Sequence, residues 1–201
     1  MYSKKREQSM KGIDVSENNG VVDWQAVKDA GIEFAIIRIG YGKFDLDSRF
    51  IENVNGALDV GLKVGVYHYS YALSDDMAGV EARFVADTIY DCGLENKLEM
   101  GVWFDMEDAD GYKERHGVTD RQELTNMCSV FINRMWEEGF DYVGLYANYD
   151  WLTNVLYMDQ LDVAVWAAQY NSTCDYEEAD IWQYTDSLEI DGKYFDGNVT
   201  L

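Results

Sequence analysis

Two carboxyl side chains, Asp105 and Glu107, stand two positions apart where the apolar run Gly101-Val102-Trp103-Phe104 ends. The run's length and its aromatic and β-branched content predict a buried strand that leaves the core where the acids begin. Residues two apart on a strand point the same way, so Asp105 and Glu107 project together while Met106 faces away. Carboxyl groups crowded on one face repel and titrate apart, which leaves one protonated near neutrality as a proton donor. Glycoside hydrolysis asks for that chemistry. Strand ends also carry acids merely to meet water or bind loop amides, so the pair gains weight only from what the chain places beside it.

The elements that must position the pair follow a strand–helix rhythm. Residues 12–16 read as a short strand, 17–20 as a turn, and 24–30 as a helix capped by Asp23 and stopped by Gly31. Residues 33–40 have the continuous apolar centre of a strand covered on both faces. An amphipathic helix over 47–60, a strand over 63–71 and a helix over 74–90 capped by Ser74 lead to the run at 101–108. Thr119 then caps a long helix to Glu138, and 142–148 is the fifth strand. Residues 150–157 make at best a short helix, and strands over 162–170, 179–184 and 197–201 come after it with only loops between them. The alternation predicts a parallel sheet. The fold class is therefore α/β: a modified TIM-like barrel of about eight strands, five in βα units and three lacking long helices.

In such a barrel the strand ends open onto one face, where active sites of this architecture sit. Asp14 lies at the end of the first strand, His68 and Tyr69 at the third, Asp105 and Glu107 at the fourth, and Tyr146 and Asn148 at the fifth. Trp166 and Gln169 lie in the sixth, and Trp182, Gln183 and Tyr184 end the seventh. With Asp196 before the last strand, four acids (Asp14, Asp105, Glu107 and Asp196) converge beneath an aromatic rim. Singly, Asp14 reads equally as a turn cap, His68 as a hydrogen-bonded core histidine, Trp182 as packing and Asp196 as a turn residue. Their joint placement carries the argument.

The 201 residues suit one domain, expected over 11–201 behind a disordered leader at 1–10. An apolar fraction of 47% supplies an ordinary core. A net charge of −22 excludes nucleic acid as partner and disfavours anionic membrane surfaces. Cys92, Cys128 and Cys174 are odd in number and widely spaced, which fits neither a metal site nor a disulfide framework. No apolar run reaches transmembrane length, so no membrane insertion is expected, and a monomer is the working expectation. No signal peptide is visible, so the protein is expected either to be made in the cytoplasm or to be a trimmed secreted form.

Several motifs resemble the family 25 glycoside hydrolases, the Chalaropsis-type lysozymes or N-acetylmuramidases. They are Gly12-Ile13-Asp14-Val15-Ser16, the Trp24 helix, Gly65-Val66-Tyr67-His68-Tyr69, Asp105-Met106-Glu107, Ile181-Trp182-Gln183-Tyr184 and Asp196-Gly197-Asn198-Val199. They run in the family's order over residues 11–201. The resemblance implies a modified β/α barrel that hydrolyses the β-1,4 bond between N-acetylmuramic acid and N-acetylglucosamine in bacterial peptidoglycan. It assigns Glu107 as proton donor, Asp14, Asp105 and Asp196 as the other active-site acids, and Tyr67, Tyr69, Tyr146, Trp166 and Tyr184 to a sugar-binding groove. It implies no metal and no organic cofactor. A chitinase-like hydrolase is disfavoured because the longer DxxDxDxE run is absent around Asp105. A catalytically silent carbohydrate-binding barrel would have no need of the intact acids.

Overall fold

The computed structural model describes residues 9–201. Its strands are β1 (Lys11–Val15), β2 (Phe34–Tyr41), a two-residue return strand β3 (Asp45–Leu46), β4 (Lys63–Tyr69), β5 (Val102–Asp105), β6 (Val143–Asn148), β7 (Ala164–Ala168), β8 (Ile181–Ile190) and β9 (Lys193–Thr200). All but β3 close into a ring. From β1 through β2, β4, β5, β6 and β7 to β8 each neighbour is parallel. β9 seals the ring antiparallel to both β8 and β1. This is the expected α/β barrel of eight strands, completed by one reversed strand.

Helices α1 (Trp24–Asp29), α2 (Phe50–Asp59) and α3 (Asp75–Asp91) come after β1, the β2–β3 hairpin and β4. A single turn, α4 (Tyr112–Arg115), and the long α5 (Arg121–Glu137) come after β5. Beyond β6 the described residues hold a π-helical turn, Trp151–Val155, and a 3-10 turn, Met158–Gln160, and the last three strands lack long helices as expected. Two helix starts differ from the sequence reading. Asp120 rather than Thr119 caps α5, because its carboxylate accepts from both Gln122 N and Glu123 N (2.9 and 3.1 Å). Asp47 does not open α2, because its carboxylate is taken by Arg38 Nε (2.8 Å) and by the backbone N–H groups of Glu17 and Arg49.

Strand alternation sorts side chains into two apolar layers. Phe104 and Met106 face the helices, in the layer that includes Ile13, Ile37, Val64 and Phe131. Trp103 faces inward and packs with Phe34, Ile36, Met100, Trp166 and Ile181 as a plug inside the barrel. Two glycines make room for these rings. A Cβ on Gly12 would stand 2.2 Å from the Phe34 ring, and one on Gly144 would stand 2.2 Å from the Trp103 ring. The aromatic plug forms a floor, and inward positions above it carry polar groups.

The closing hairpin is longer than the sequence indicated. β8 and β9 meet at Ile190 and Lys193 around the two-residue turn Asp191-Gly192, both at positive φ (+49° and +74°). Such a turn matches the twist of a hairpin. Gln183 therefore lies near the start of β8 rather than at a strand end, and Asp196 lies within β9 rather than in a turn. Most of the leader expected over 1–10 lies outside the described residues. Met10, its last residue, is tied to Thr200 by two hydrogen bonds (2.8 and 3.0 Å).

Candidate active site

Above the aromatic floor, the register sets Asp14 opposite Asp196 across β1 and β9, and Gln183 opposite Asn198 across β8 and β9. Asp14 is only 5% exposed. Its Oδ2 accepts from Asn198 Nδ2 at 2.7 Å and from Gln183 Nε2 at 2.9 Å. Both amides are forced into that orientation. Gln183 Oε1 accepts from the phenols of Tyr146 (3.0 Å) and Tyr170 (3.1 Å), and Asn198 Oδ1 accepts from the Trp166 indole (2.8 Å). Burial, and next the charge of Asp196, push the Asp14 carboxyl well above the usual aspartate range, while the amides oppose the shift. Asp14 and Asp196 hydrogen-bond to each other, with Asp14 the proton-holding partner.

A second carboxyl pair sits across the ring. Asp105 is the last residue of β5, lies beside Tyr69 and Tyr146 in register, and is 4% exposed. Glu107 comes next in the loop and is half-buried. Burial raises both groups; Glu107's charge raises Asp105 further, while the Lys113 ammonium pulls both down. Asp105, the deeper, is shifted more strongly, and its hydrogen bond to Glu107 opposes the rise of Glu107. Its Oδ1 has no hydrogen-bond partner among the described residues. A buried carboxyl pair of this kind holds one proton between two sites and titrates as a unit.

The structure thus brings Asp14 and Asp196 together, and Asp105 and Glu107 together, at one mouth of the barrel. The aromatic residues divide. Tyr67 and Tyr146 pack edge-on against Trp166 (centroids 6.0 and 4.6 Å), and Tyr69 lies half-buried where Glu107's charge adds to burial in raising its phenol. Trp166 is 1% exposed, so it is floor beneath the mouth and offers no open face. Tyr184 packs against Trp182 and across Gly197, on the side of the hairpin away from Gln183.

His68 also points away from the acids. Its ring lies between Phe84 and Phe131 in the helix-facing layer, fully buried, and burial lowers its pKa to about 3. The sequence pointed to a hydrogen-bonded core histidine; the ring is in the core, with Nε2 3.8 Å from Glu81 Oε2, but among the described residues neither ring nitrogen has a hydrogen-bond partner. Sequence reasoning missed three participants. Tyr170 reaches Gln183 from beyond β7, Lys113 reaches the Glu107 backbone from α4, and the buried Glu81 of α3 accepts from Ser70 Oγ at 2.8 Å. Only Glu81 left a signal: an acid on the stripe with Ala78, Ala82 and Val85.

A β/α barrel with a convergent acid cluster at its mouth belongs to a class that works at that mouth. Residues 13–193 match glycosyl hydrolases family 25, and the chain is a member of that family. It is 29% identical over 188 residues to the autolytic lysozyme of Clostridium acetobutylicum, covering 91% of this chain and 52% of that protein. It superimposes on the modular autolysin LytC of Streptococcus pneumoniae with a TM-score of 0.86 at 25% identity, over 96% of this chain and 47% of that one. The latter is also known in complex with a synthetic peptidoglycan ligand. A family 25 glycosyl hydrolase from Bacillus anthracis shares the fold (TM-score 0.79, 24% identity) over 99% of this chain and 91% of its own. The chain thus spans about half the length of the first two relatives, at 52% and 47%.

Proposed function

We propose that this chain is a peptidoglycan N-acetylmuramidase that cleaves the β-1,4 bond between N-acetylmuramic acid and N-acetylglucosamine. The observation that carries the reading is the acid layout, two carboxyl pairs, each with one buried and one half-buried member, at the mouth of a family 25 barrel. Glu107 is the less buried member of its pair and faces the mouth, so it delivers the proton to the leaving-group oxygen. Asp105 backs it: burial raises both carboxyls, so the pair shares a proton to higher pH than a free carboxylate would, and that proton leaves through Glu107. Asp14 and Asp196 place negative charge opposite the positive charge that develops on the sugar ring. Tyr67, Tyr69 and Tyr146 line the approach. On this reading the protein works on the bacterial wall, reached by lysin-like release from the cytoplasm or by secretion.

The test is a digest of purified peptidoglycan with wild type and with Glu107→Gln, followed by borohydride reduction and mass spectrometry. Muramitol ends from wild type alone are expected. Glucosaminitol ends would reassign the bond to a glucosaminidase, and near wild-type turnover by the variant would remove Glu107 from the donor role. Sugar binding without new reducing ends would make the barrel a binding module.

A further inference from the structure

Glu107 lies two residues past the end of β5, where the sheet no longer fixes the backbone. Met106 N still donates to Tyr146 O (3.0 Å), and from Glu107 onward the chain is loop. The Glu107 carbonyl accepts from Lys113 Nζ at 3.1 Å, and the same ammonium donates to the Ser70 carbonyl just past β4. Lys113 is 1% exposed, an unusual place for a lysine. Its own backbone is anchored as well. Asp108 Oδ1 accepts from Lys113 N at 2.7 Å, and Asp108 Oδ2 accepts from Glu114 N at 2.9 Å, so residues 107–113 close on themselves.

A buried ammonium persists only where charge and hydrogen bonds compensate it. The titratable groups that face Lys113 are Glu81 from α3, Asp105 from β5, Asp108 from the loop and the Cys128 thiol from α5. Glu107 and the His68 imidazole of β4 also feel its charge. None of the contacts in the proposed reaction requires this lysine, yet it clamps the donor's backbone to the neighbouring strand end.

We propose that Lys113 is a positioning residue for proton transfer: its ammonium fixes the Glu107 backbone against the end of β4 and sets positive charge beside the Asp105–Glu107 pair. The inference rests on Glu107 being the proton donor. Each of the two contacts has its own consequence. Without the clamp the donor carboxyl wanders, which costs turnover rather than binding. Without the charge both carboxyls of the pair hold their proton to higher pH, so the alkaline limb of the rate profile moves up.

The experiment is steady-state kinetics of the full chain on a soluble, uncross-linked glycan of alternating N-acetylglucosamine and N-acetylmuramic acid. Lys113→Met, close in shape and uncharged, is expected to lower kcat by about tenfold or more with KM within about threefold, and to shift the alkaline limb upward. Asp108→Asn keeps an acceptor for Lys113 N but removes a negative charge that raises Glu107. It is expected to cost less kcat and to move the limb downward. Wild-type kcat with an unmoved limb in Lys113→Met overturns the proposal. If that variant does not fold, unchanged kcat and an unmoved limb in Asp108→Asn overturn it instead. Glu107→Gln in the same assay separates the two readings. If it keeps turnover the donor assignment itself fails, whereas a dead Glu107→Gln beside a wild-type-like Lys113→Met sinks only the role of Lys113.

Discussion

The two carboxyl pairs are alike in residue type and in the direction of their shifts, yet they are held by opposite means. Asp14 and Asp196 sit inside β1 and β9, in register across an antiparallel ladder, and Asp14 is fixed by the neutral amides of Gln183 and Asn198. Asp105 and Glu107 straddle the end of a parallel strand, and the outer member hangs from a loop carbonyl bonded to a buried ammonium. Neutral donors lower a carboxyl's proton affinity only through the hydrogen bonds that also fix it in place, whereas a cation lowers it through its charge as well. On the proposed reading the antiparallel side of the barrel supplies charge held by its own strands, and the parallel side supplies a proton from a loop residue that depends on a buried lysine to hold it.

The largest effect should separate the pairs by chemistry. On the proposed reading, Glu107→Gln removes the transferable proton's last carrier and costs roughly 10²–10⁴ or more in kcat. Asp196→Asn leaves the donor in place and removes the ionised member of the other pair, a loss of charge stabilisation on the order of 10². Substrate affinity measured by calorimetry should survive in both. Equal losses in the two variants would erase the division of labour.

Stability offers a second way to sharpen the comparison, and its sign is fixed by the direction of the shift. Asp14 is raised, so the folded chain keeps a proton that the unfolded chain releases above about pH 4, the ordinary aspartate value. Its contribution is intact below that value and falls as pH rises towards the raised one. Asn is isosteric with the protonated acid; its oxygen can accept from Gln183 and Asn198 while its amide faces Asp196. Asp14→Asn should therefore match wild type in urea unfolding at pH 4 and exceed it by about 1–3 kcal/mol at pH 8. A constant difference between the two pH values would mean that Asp14 ionises freely in the fold. Asp105→Asn should show the same sign, diminished because Lys113 already opposes the shift there.

The legibility of these regions in the sequence divides along the same line. The parallel strands announce themselves because both faces are apolar: Phe34 to Ile37 and Val64 to Val66 read as covered strand. β8 and β9 were legible only where they enter the barrel. Thr185, Asp186, Ser187 and Glu189 are polar on an outlying hairpin with Leu188 alone among them, so the apolar pattern lapses after Tyr184 although the strand continues. The Asp191-Gly192 pair carried the signal for that turn. Once the hairpin is overlooked, Asp196 reads as a loop residue, and its pairing with Asp14 cannot be inferred from local sequence. The acids themselves were visible from their positions near strand ends. Lys113 was not, since residues 108–118 are rich in charge and glycine and show no apolar periodicity. A lysine buried by contacts from three other segments leaves no periodic trace.

The smallest expected effect probes redundancy on the amide-held side. Gln183 Oε1 accepts two phenols, from half-buried Tyr146 and from Tyr170, which is 56% exposed. Either phenol suffices to keep the amide nitrogen turned towards Asp14. Tyr170→Phe should therefore lower kcat by no more than about threefold, the worth of one partly solvated hydrogen bond. Tyr146→Phe should cost slightly more, because its bond is shielded beside Trp166. With both hydroxyls gone the Gln183 amide is free to turn its oxygen towards Asp14 Oδ2, replacing an attraction with a repulsion. The double variant should then lose more than the product of the single losses, a coupling that a double-mutant cycle reads directly. Additive losses would show that the phenols do not act through Gln183. They would also leave Asn198, locked by the Trp166 indole, as the amide whose orientation fixes Asp14.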